Sequence, residues 1–473
     1  MQKPSVQLDG KRVLAVGLAR TGVATALFCA ARGARVTATD EQPEAKVAQA
    51  AATLRGAGVT LELGGHRRET FLTQDLIIPS PGVPLDQPDL AAARANEITV
   101  WSEIELAWRL LLGRLVVITG SNGKTTTTAL LGHILKTAGL PVAVGGNIGT
   151  PLISLVDSST DAGITVAEAS SFQLEAIEDF RPDVAVLLNL TPDHLDRHGS
   201  MEGYRRAKAR IFENQRDEDA AVCNADDPGA VEMAPTEPHL YWFSRKSPVA
   251  RGAFVRGDEI ILRTSGKETA LMSRADIPLR GDHNLENVLA AAVAAQLVGA
   301  NAPAIAAGVC SFPGVAHRLQ FVAAIDGVEF YNDSKATNVD ATLKALDAFT
   351  GNLLVILGGK DKGSDYSVLR EPLRRRARIV YLIGAAASKI GKQIAGAVAV
   401  EHAVSLENAV AAAFGRARPG DTVLLAPACA SFDQFDNYEH RGSVFAALVR
   451  QIAATRKNEP AKAKVPTKIS GGN

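Results

Sequence analysis

Short apolar runs alternate with amphipathic stretches along most of this chain, and that alternation predicts repeated βαβ units. Arg12-Val13-Leu14-Ala15-Val16 reads as a strand, Gly17 to Gly22 as a turn, Val23 to Ala31 as a helix and Arg35 to Asp40 as the next strand. Leu76-Ile77-Ile78 and the loop Pro79-Ser80-Pro81-Gly82 repeat the pattern. A second series starts near Arg114, with strands over Val116 to Thr119, Ile164 to Val166 and Val184 to Leu188. It includes a more polar stretch from Asp217 to Arg280, with short strands such as Glu259 to Leu262, and a helix dense in Ala, Val and Leu from Asn287 to Val298. A third series starts near His317, with strands over Leu353 to Leu357, Ile379 to Ile383 and Thr422 to Leu425. Three α/β domains with mostly parallel sheets are expected, over 1–110, 111–315 and 316–454. The segment 455–473 mixes Lys, Pro, Gly and Ser without apolar period and reads as a disordered tail.

Composition narrows the function classes. Lys+Arg and Asp+Glu are both 51, so bulk charge gives no reason to expect nucleic-acid binding. No apolar run is long enough to span a bilayer and no signal peptide is recognisable, so a cytoplasmic protein without membrane insertion is expected. Cys29, Cys223, Cys310 and Cys429 match no metal-ligand spacing and read as reduced thiols.

The strand Val116 to Thr119 runs into Gly120-Ser121-Asn122-Gly123-Lys124-Thr125-Thr126, and Leu130, Leu131, Ile134 and Leu135 then recur at helical spacing. A strand, a glycine loop and a helix N-terminus make an anion site, because backbone N–H groups and the helix dipole face the same point. Lys124 would reach the outer phosphates of a nucleoside triphosphate and the Thr125 hydroxyl would hold Mg²⁺. The loop is short, with only Ser121 and Asn122 between its glycines.

Other polar residues sit where α/β proteins bind ligands, past the carboxyl ends of strands. Glu168 follows Ile164 to Val166, and Asp193-His194-Leu195-Asp196-Arg197-His198 follows Val184 to Leu188. A carboxylate and an imidazole there suit Mg²⁺. Lys208 lies between Arg206 and Arg210 on a basic helix, and such neighbours lower an ammonium pKa. A neutral amine can take up CO₂ as a carbamate. In the third series, Asn332 to Asn338, Gly358 to Gly363 and Pro427 to Asp433 follow three strands and should gather on one sheet edge. Lys335 and Lys362 would receive an anion, with a helix N-terminus near Ser431 adding N–H donors.

From about Gly17 to Ser443 these motifs resemble the Mur ligases, which extend the cell-wall peptide on a UDP-sugar. The likeness rests on the shortened phosphate loop Thr119 to Thr126, Gly146-Asn147-Ile148-Gly149, Glu168 to Glu175, Asp193 to Asp196 and His283-Asn284. Asn332 to Asn338 and Ala428 to Phe435 are similar to the D-glutamate-adding branch. The resemblance implies a Rossmann-like UDP-binding domain, a P-loop ATPase-like central domain and a Rossmann-like amino-acid-binding domain. It implies an ATP-dependent amide ligase of peptidoglycan precursor synthesis. The carboxylate of UDP-N-acetylmuramoyl-L-alanine would form an acyl phosphate that the amine of D-glutamate then attacks. Closure around that intermediate is expected, because a free acyl phosphate hydrolyses.

The resemblance also implies roles by position. Gly120, Ser121, Asn122, Gly123, Lys124, Thr125 and Thr126 would hold the ATP phosphates. Asn284, Asn287, Arg318 and Asp333 would hold adenosine and ribose. Arg20, Thr21, Asp40 and Gly82 would hold UDP, and Asn147, Ser170 and His194 would lie at the muramoyl-alanine end. Lys335, Thr337, Lys362, Ser431, Phe432 and Tyr438 would hold D-glutamate. Of two Mg²⁺ ions, one would sit on Thr125; Glu168 and His194 would ligate the other, with Lys208 supporting it as a carbamate. Lys124, His194 and Lys208 would form the catalytic set. Lys360 departs from relatives that carry an acidic residue there. A monomer is expected. The rival readings are a sister ligase, which the two specific loops disfavour, and a nucleotide-driven switch, which would leave Glu168, His194 and Lys208 without a task.

Overall fold

The computed structural model describes residues 3–236, 239–264 and 266–458. The chain falls into two compact units that divide between Phe312 and Pro313.

The first unit holds two sheets. The smaller contains β1 (Arg12–Val16), β2 (Arg35–Asp40), β3 (Thr60–Leu63), β4 (Leu76–Pro79) and β5 (Thr99–Val100), all parallel, in the order β3-β2-β1-β4-β5. The larger contains β6 (Arg114–Thr119), β7 (Val142–Gly146), β8 (Ile164–Glu168), β9 (Val184–Leu187), β10 (Ala220–Asn224), β11 (His239–Ser244), β12 (Gly252–Arg256), β13 (Glu259–Thr264) and β14 (Lys267–Ser273). Its order is β14-β13-β12-β11-β10-β9-β6-β8-β7, and β13 alone runs antiparallel, to both of its neighbours β12 and β14. Strands β6, β8 and β9 are buried on both faces, which is why they read as unbroken apolar runs rather than alternating ones. The long polar stretch before Arg280 supplies the edge strands β11 to β14.

One apolar cluster joins both sheets, from Val13, Ala15 and Ile78 to Val117, Ala185 and Leu187. Each buried Val, Leu or Ile there contributes roughly 1.5–3 kcal/mol on burial. The helix Glu103–Leu110 is part of the joint and is buried along almost its whole length. Its Glu105 is internally answered: it accepts the N–H groups of Glu178 and Phe180, each at 2.8 Å, and the Arg109 Nε at 2.7 Å.

The second unit contains β15 (Gln320–Ile325), β16 (Val328–Asn332), β17 (Leu353–Gly358), β18 (Ala377–Ile383), β19 (Ala399–Val404) and β20 (Thr422–Leu425), ordered β15-β16-β20-β17-β18-β19. Only β15 runs antiparallel. Successive residues of β17 alternate between two cores: Leu353, Val355 and Leu357 face one, Leu354 and Ile356 the other.

Several boundaries differ from those expected. The first helix runs Arg20–Ala30, so Arg20 and Thr21 occupy its first turn instead of the preceding loop. Glu168 is the last residue of β8. The helix Asp282–Leu297 starts before Asn287, because Gly281 takes φ 93° and lets the polar residues Asp282, His283 and Asn284 form its opening turn. No helix begins near Ser431; turns occupy that stretch and the helix starts at Tyr438. That helix runs to Asn458, so 455–458 are helical, while the rest of the expected tail lies outside the described residues. Among the described residues no helix is long and apolar enough to cross a membrane.

Candidate active site at the phosphate loop

In the larger sheet β6 lies between β8 and β9, so the loops leaving these three strands converge at its carboxyl edge. Gly123 takes φ 86° at the N-cap of the helix Lys124–Thr137. A Cβ there would stand 2.3 Å from the Asn287 side-chain oxygen. That oxygen also accepts the Thr127 hydroxyl at 3.1 Å, and Asn287 Nδ2 donates to Asn284 Oδ1 at 3.1 Å. The two asparagines thus brace the loop from the helix Asp282–Leu297. The other side is braced by the segment after β9. Asn189 accepts the Asn122 N–H at 2.8 Å, and the buried Ser121 hydroxyl exchanges hydrogen bonds with Thr191 at 2.9 Å.

Two lysines meet on one carbonyl. Lys124 Nζ donates to Gly120 O at 2.8 Å and Ser121 O at 3.0 Å, and Lys208 Nζ donates to the same Gly120 O at 2.8 Å. Lys208 is only 1% exposed. Burial drives its pKa well below the usual ammonium range, and the charge of Lys124 adds to this. The crowding expected from Arg206 and Arg210 is not the cause. Arg206 is mostly exposed beside Glu202, and Arg210 turns to the carbonyls of Leu174, Glu175 and Ile177.

Thr125 Oγ1 donates to Glu168 Oε2 at 2.9 Å, and Asn147 Nδ2 to Glu168 Oε1 at 2.8 Å. A hydroxyl and a buried carboxylate side by side are hard oxygen donors of the kind Mg²⁺ takes. His194 stands apart from them. It takes φ 51°, lies 3.5 Å from Asp193 and packs on Phe172 at 4.9 Å. Among the described residues no three His, Cys, Asp or Glu side chains converge as a metal cluster.

Ser170 caps the short helix Ser171–Leu174 in a reciprocal capping box with Gln173. Beyond it is a polar cluster with no local sequence signature. His198 Nε2 lies 2.9 Å from Ser171 Oγ and its Nδ1 3.2 Å from Glu175, while Arg197 pairs with Glu175 at 2.9 Å. Burial lowers the His198 pKa, with Glu175 opposing. Phe172 sits against His194 and His198, and its ring spacing has no helical or strand period that would signal this.

In the smaller sheet of this unit β1 lies between β2 and β4, and its crevice opens there. Asp40 accepts the N–H groups of Leu18 at 2.6 Å and Gln42 at 2.8 Å, which fixes the loop leading into Arg20 and Thr21. Ser80 bridges the loops after β4 and β1 by donating to Gly17 O at 2.9 Å, and Gly82 is exposed just beyond. Arg20 donates to Gly149 O at 2.8 Å.

In the second unit β20 lies between β16 and β17, so the three expected loops do leave neighbouring strands. Ala428 N–H donates to Ala336 O at 2.9 Å and Lys360 N–H to Ala430 O at 2.8 Å. The residue that ties them together is Arg441, which is 0% exposed. Its guanidinium donates to Ser334 Oγ and Ser334 O at 2.9 Å and to Cys429 O at 3.2 Å. Burial lowers its pKa to about 10. A Cβ on Gly359 would crowd Arg441 Nη1 at 3.2 Å, so this guanidinium sits at the junction of all three loops. It lies in a helix well past the motifs, with nothing in its local pattern to mark it. Around this hub, Lys335 lies over the Tyr438 ring at 5.8 Å, Thr337 is half-buried, Ser431 is buried, Lys362 is exposed and Phe432 is 66% exposed. Asp361, next to Lys360, accepts from Tyr366 and Lys389, each at 2.8 Å. Asp333 is buried, accepts the Leu319 N–H at 3.0 Å and is pushed up to about 6, with Arg318 and Lys335 opposing the shift.

The comparisons with known proteins follow the same division. Family models match as a Mur ligase MurD-like N-terminal domain over 11–102, a Mur ligase middle domain over 118–295 and a Mur ligase glutamate ligase domain over 317–429. The chain belongs to the Mur ligase family. Within it, the UDP-N-acetylmuramoylalanine–D-glutamate ligase of Koribacter versatilis is 53% identical over 96% of this chain and 100% of its own length. The ligase of that name from Solibacter usitatus is 54% identical over 94% and 99%. Among solved structures, the UDP-N-acetylmuramate-alanine ligase of Thermotoga maritima shares the fold with a TM-score of 0.57 at 19% identity, covering 93% of this chain and 99% of that one. A UDP-N-acetylmuramoyl-L-alanyl-D-glutamate–2,6-diaminopimelate ligase does so with 0.57 at 20% identity, covering 96% and 95%.

Proposed function

We propose that this chain uses ATP to join D-glutamate to UDP-N-acetylmuramoyl-L-alanine in peptidoglycan precursor synthesis. The observation that carries the reading is the Gly120 carbonyl, on which Lys124 and Lys208 converge beside the Thr125–Glu168 pair. Full-length relatives that are half identical supply the substrate names. UDP falls to 1–110, ATP to 111–315 and D-glutamate to 316–454. Free thiols, mostly buried, suit the reducing cytoplasm, where the chain acts as a monomer.

ATP phosphates lie against the N–H groups of the loop Gly120 to Thr126, and Lys124 exchanges two carbonyl acceptors for charge-assisted bonds to phosphate. Thr125 would hold one Mg²⁺, and Glu168 and His194 would ligate a second, supported by Lys208 as a carbamate. Such ions would supply charge neutralisation between two anions that otherwise repel. Burial lowers the Lys208 pKa and so favours the free amine that carbamate formation needs: its lone pair forms the N–C bond to CO₂, an electron pair moves onto oxygen and the amine proton leaves.

Asn284 and Asn287, which brace the loop, and Arg318 and Asp333 of the second unit are assigned to adenosine and ribose. Arg20, Thr21, Asp40 and Gly82 are assigned to UDP, where the first-turn N–H groups favour a diphosphate. Asn147, Ser170 and His194 are assigned to the muramoyl-alanine end. Lys335, Thr337, Lys362, Ser431, Phe432 and Tyr438 are assigned to D-glutamate, with two cations for its two carboxylates. The substrate carboxylate oxygen bonds the γ-phosphorus as ADP leaves. The D-glutamate nitrogen then bonds the acyl carbon, phosphate leaves and the amine gives up a proton.

Phosphate release from ATP tests this, with the UDP-sugar and a panel of D-Glu, L-Glu, L-Ala, L-Lys and meso-diaminopimelate. Release with D-Glu alone among them, and only with the UDP-sugar present, is the expected result. Release with another amino acid would move the chain to a sister reaction, and none at all would end the ligase reading.

A further inference from the structure

Three segments carry the residues assigned to the UDP-substrate: the loop after β4 with Gly82, the stretch after β7 with Asn147, and the turn after β8 with Ser170. All three meet at Glu103, the first residue of the helix Glu103–Leu110. Its Oε1 accepts the Ile153 N–H at 2.6 Å, at the start of the turn Leu152–Ser158 that ends the Asn147 segment. The other end of that segment is held by Glu168, through Asn147 Nδ2 and the Asn147 N–H. Glu103 also borders a cavity of about 10 Å³ whose walls include Pro81, Val83, Phe172 and Gln173. Gln173 is the residue whose side-chain oxygen accepts the Ser170 N–H at 3.0 Å and the Ser170 hydroxyl at 3.1 Å.

Glu103 is 1% exposed, and its Oε2 makes no hydrogen bond of normal geometry among the described residues, although the Leu152 N–H and the Gln173 side chain face the carboxyl. The Ser102 hydroxyl, on the same cavity, is likewise unanswered. Two orphaned polar atoms on a space the size of one water molecule are what a buried water would satisfy. The isolated buried carboxyl is otherwise costly, and an apolar side chain would fill the joint with less penalty.

We propose that Glu103, with one water bound between it and Ser102, is a positioning residue for the UDP-substrate. It sets the spacing between the Gly82 loop, the Asn147 segment and the Ser170 turn without touching the reacting atoms. The proposal rests on the ligase reading above, specifically on the placement of the muramoyl-alanine end.

Separate Michaelis constants for the three substrates test it. Glu103→Ala is expected to raise KM for UDP-N-acetylmuramoyl-L-alanine roughly tenfold and leave those for ATP and D-glutamate within about twofold. Glu103→Gln, which keeps an acceptor for the Ile153 N–H, is expected to return the constant to within about threefold of wild type. If Glu103→Ala does not fold, Glu103→Asp gives the same reading with a rise of about threefold, because its oxygen falls short of Ile153. An unchanged KM for the UDP-substrate in a folded Glu103→Ala protein overturns the proposal. So does an equal rise for all three substrates, which marks a merely structural role. Failure of the wild-type protein to turn over the UDP-sugar with D-glutamate is a different result and counts against the ligase reading itself.

Discussion

The phosphate loop of the first unit and the three-loop edge of the second are both anion sites in prospect, but they are built in opposite ways. The first is one continuous stretch, Gly120 to Thr126, in which Lys124 and the incoming Lys208 share a single carbonyl. Its positive charge is held in check, since burial and Lys124 keep Lys208 from holding a proton readily. The second draws on three strand ends separated by long insertions, and a fully buried guanidinium stitches them through the carbonyls of Ser334 and Cys429 and the Ser334 hydroxyl, with no carboxylate in its hydrogen-bond set among the described residues. On the proposed assignment, the first site takes a triphosphate and a metal and would gain from a lysine that can change its chemistry, while the second takes a dianion and would gain from a cation that cannot.

The sharpest way to break this contrast is at Lys208. Lys208→Ala is expected to lower turnover by roughly 100-fold or more, and added acetate or another small carboxylate should restore part of it. Full activity in the variant would remove the carbamate from the account. Loss without any rescue would make Lys208 a packing residue under the loop.

Arg441 tests the other side. Arg441→Met keeps much of the volume but strands the carbonyls of Ser334 and Cys429 without their donor. The expected result is a drop of roughly 30- to 100-fold in kcat/KM for D-glutamate, about 2–3 kcal/mol, with ATP affinity unchanged. Arg441→Lys should recover little, because an ammonium cannot reproduce the fork. Equal effects on ATP and D-glutamate would show that Arg441 holds the whole unit together rather than this edge.

The same contrast explains what was legible in the sequence. A contiguous strand, glycine loop and helix could be read directly, and so could the three strand ends on one edge, because parallel topology places them there. Arg441 was not legible: it is one basic residue in a long helix, and its partners are backbone carbonyls, which have no sequence signature. The low pKa of Lys208 was anticipated from the wrong neighbours. Arg206 and Arg210 are adjacent along the chain but point elsewhere, and the neighbour that matters, Lys124, is brought in only by the fold. The cluster around Phe172 and His198 failed to register for the same reason. The combined core of the first two sheets was equally hidden, since it depends on which outer faces meet.

The smallest effect on turnover is expected at the joint, where the signature is a pH dependence of stability. Burial pushes the Glu103 carboxyl up to about 7, against the N–H groups of Ile153 and Leu152 and the Gln173 side chain. Well below about 4.5, the ordinary glutamate value, it is protonated folded and unfolded alike. As pH rises from there towards 7, the unfolded chain gives up its proton first. The folded state then binds more protons, and stability falls with pH across that window. The loss is complete above the folded pKa and is on the order of 3 kcal/mol. Glu103→Gln cannot ionise, so its urea-melting stability should fall less than wild type between pH 5 and pH 7.5 while its D-glutamate kinetics stay near normal. Parallel stability curves for the two proteins would mean that the carboxyl does not titrate in this window. The water-filled joint would then be holding an ordinary ionised glutamate, and the contrast between a fixed cation at Arg441 and adjustable groups in the first unit would rest on Lys208 alone.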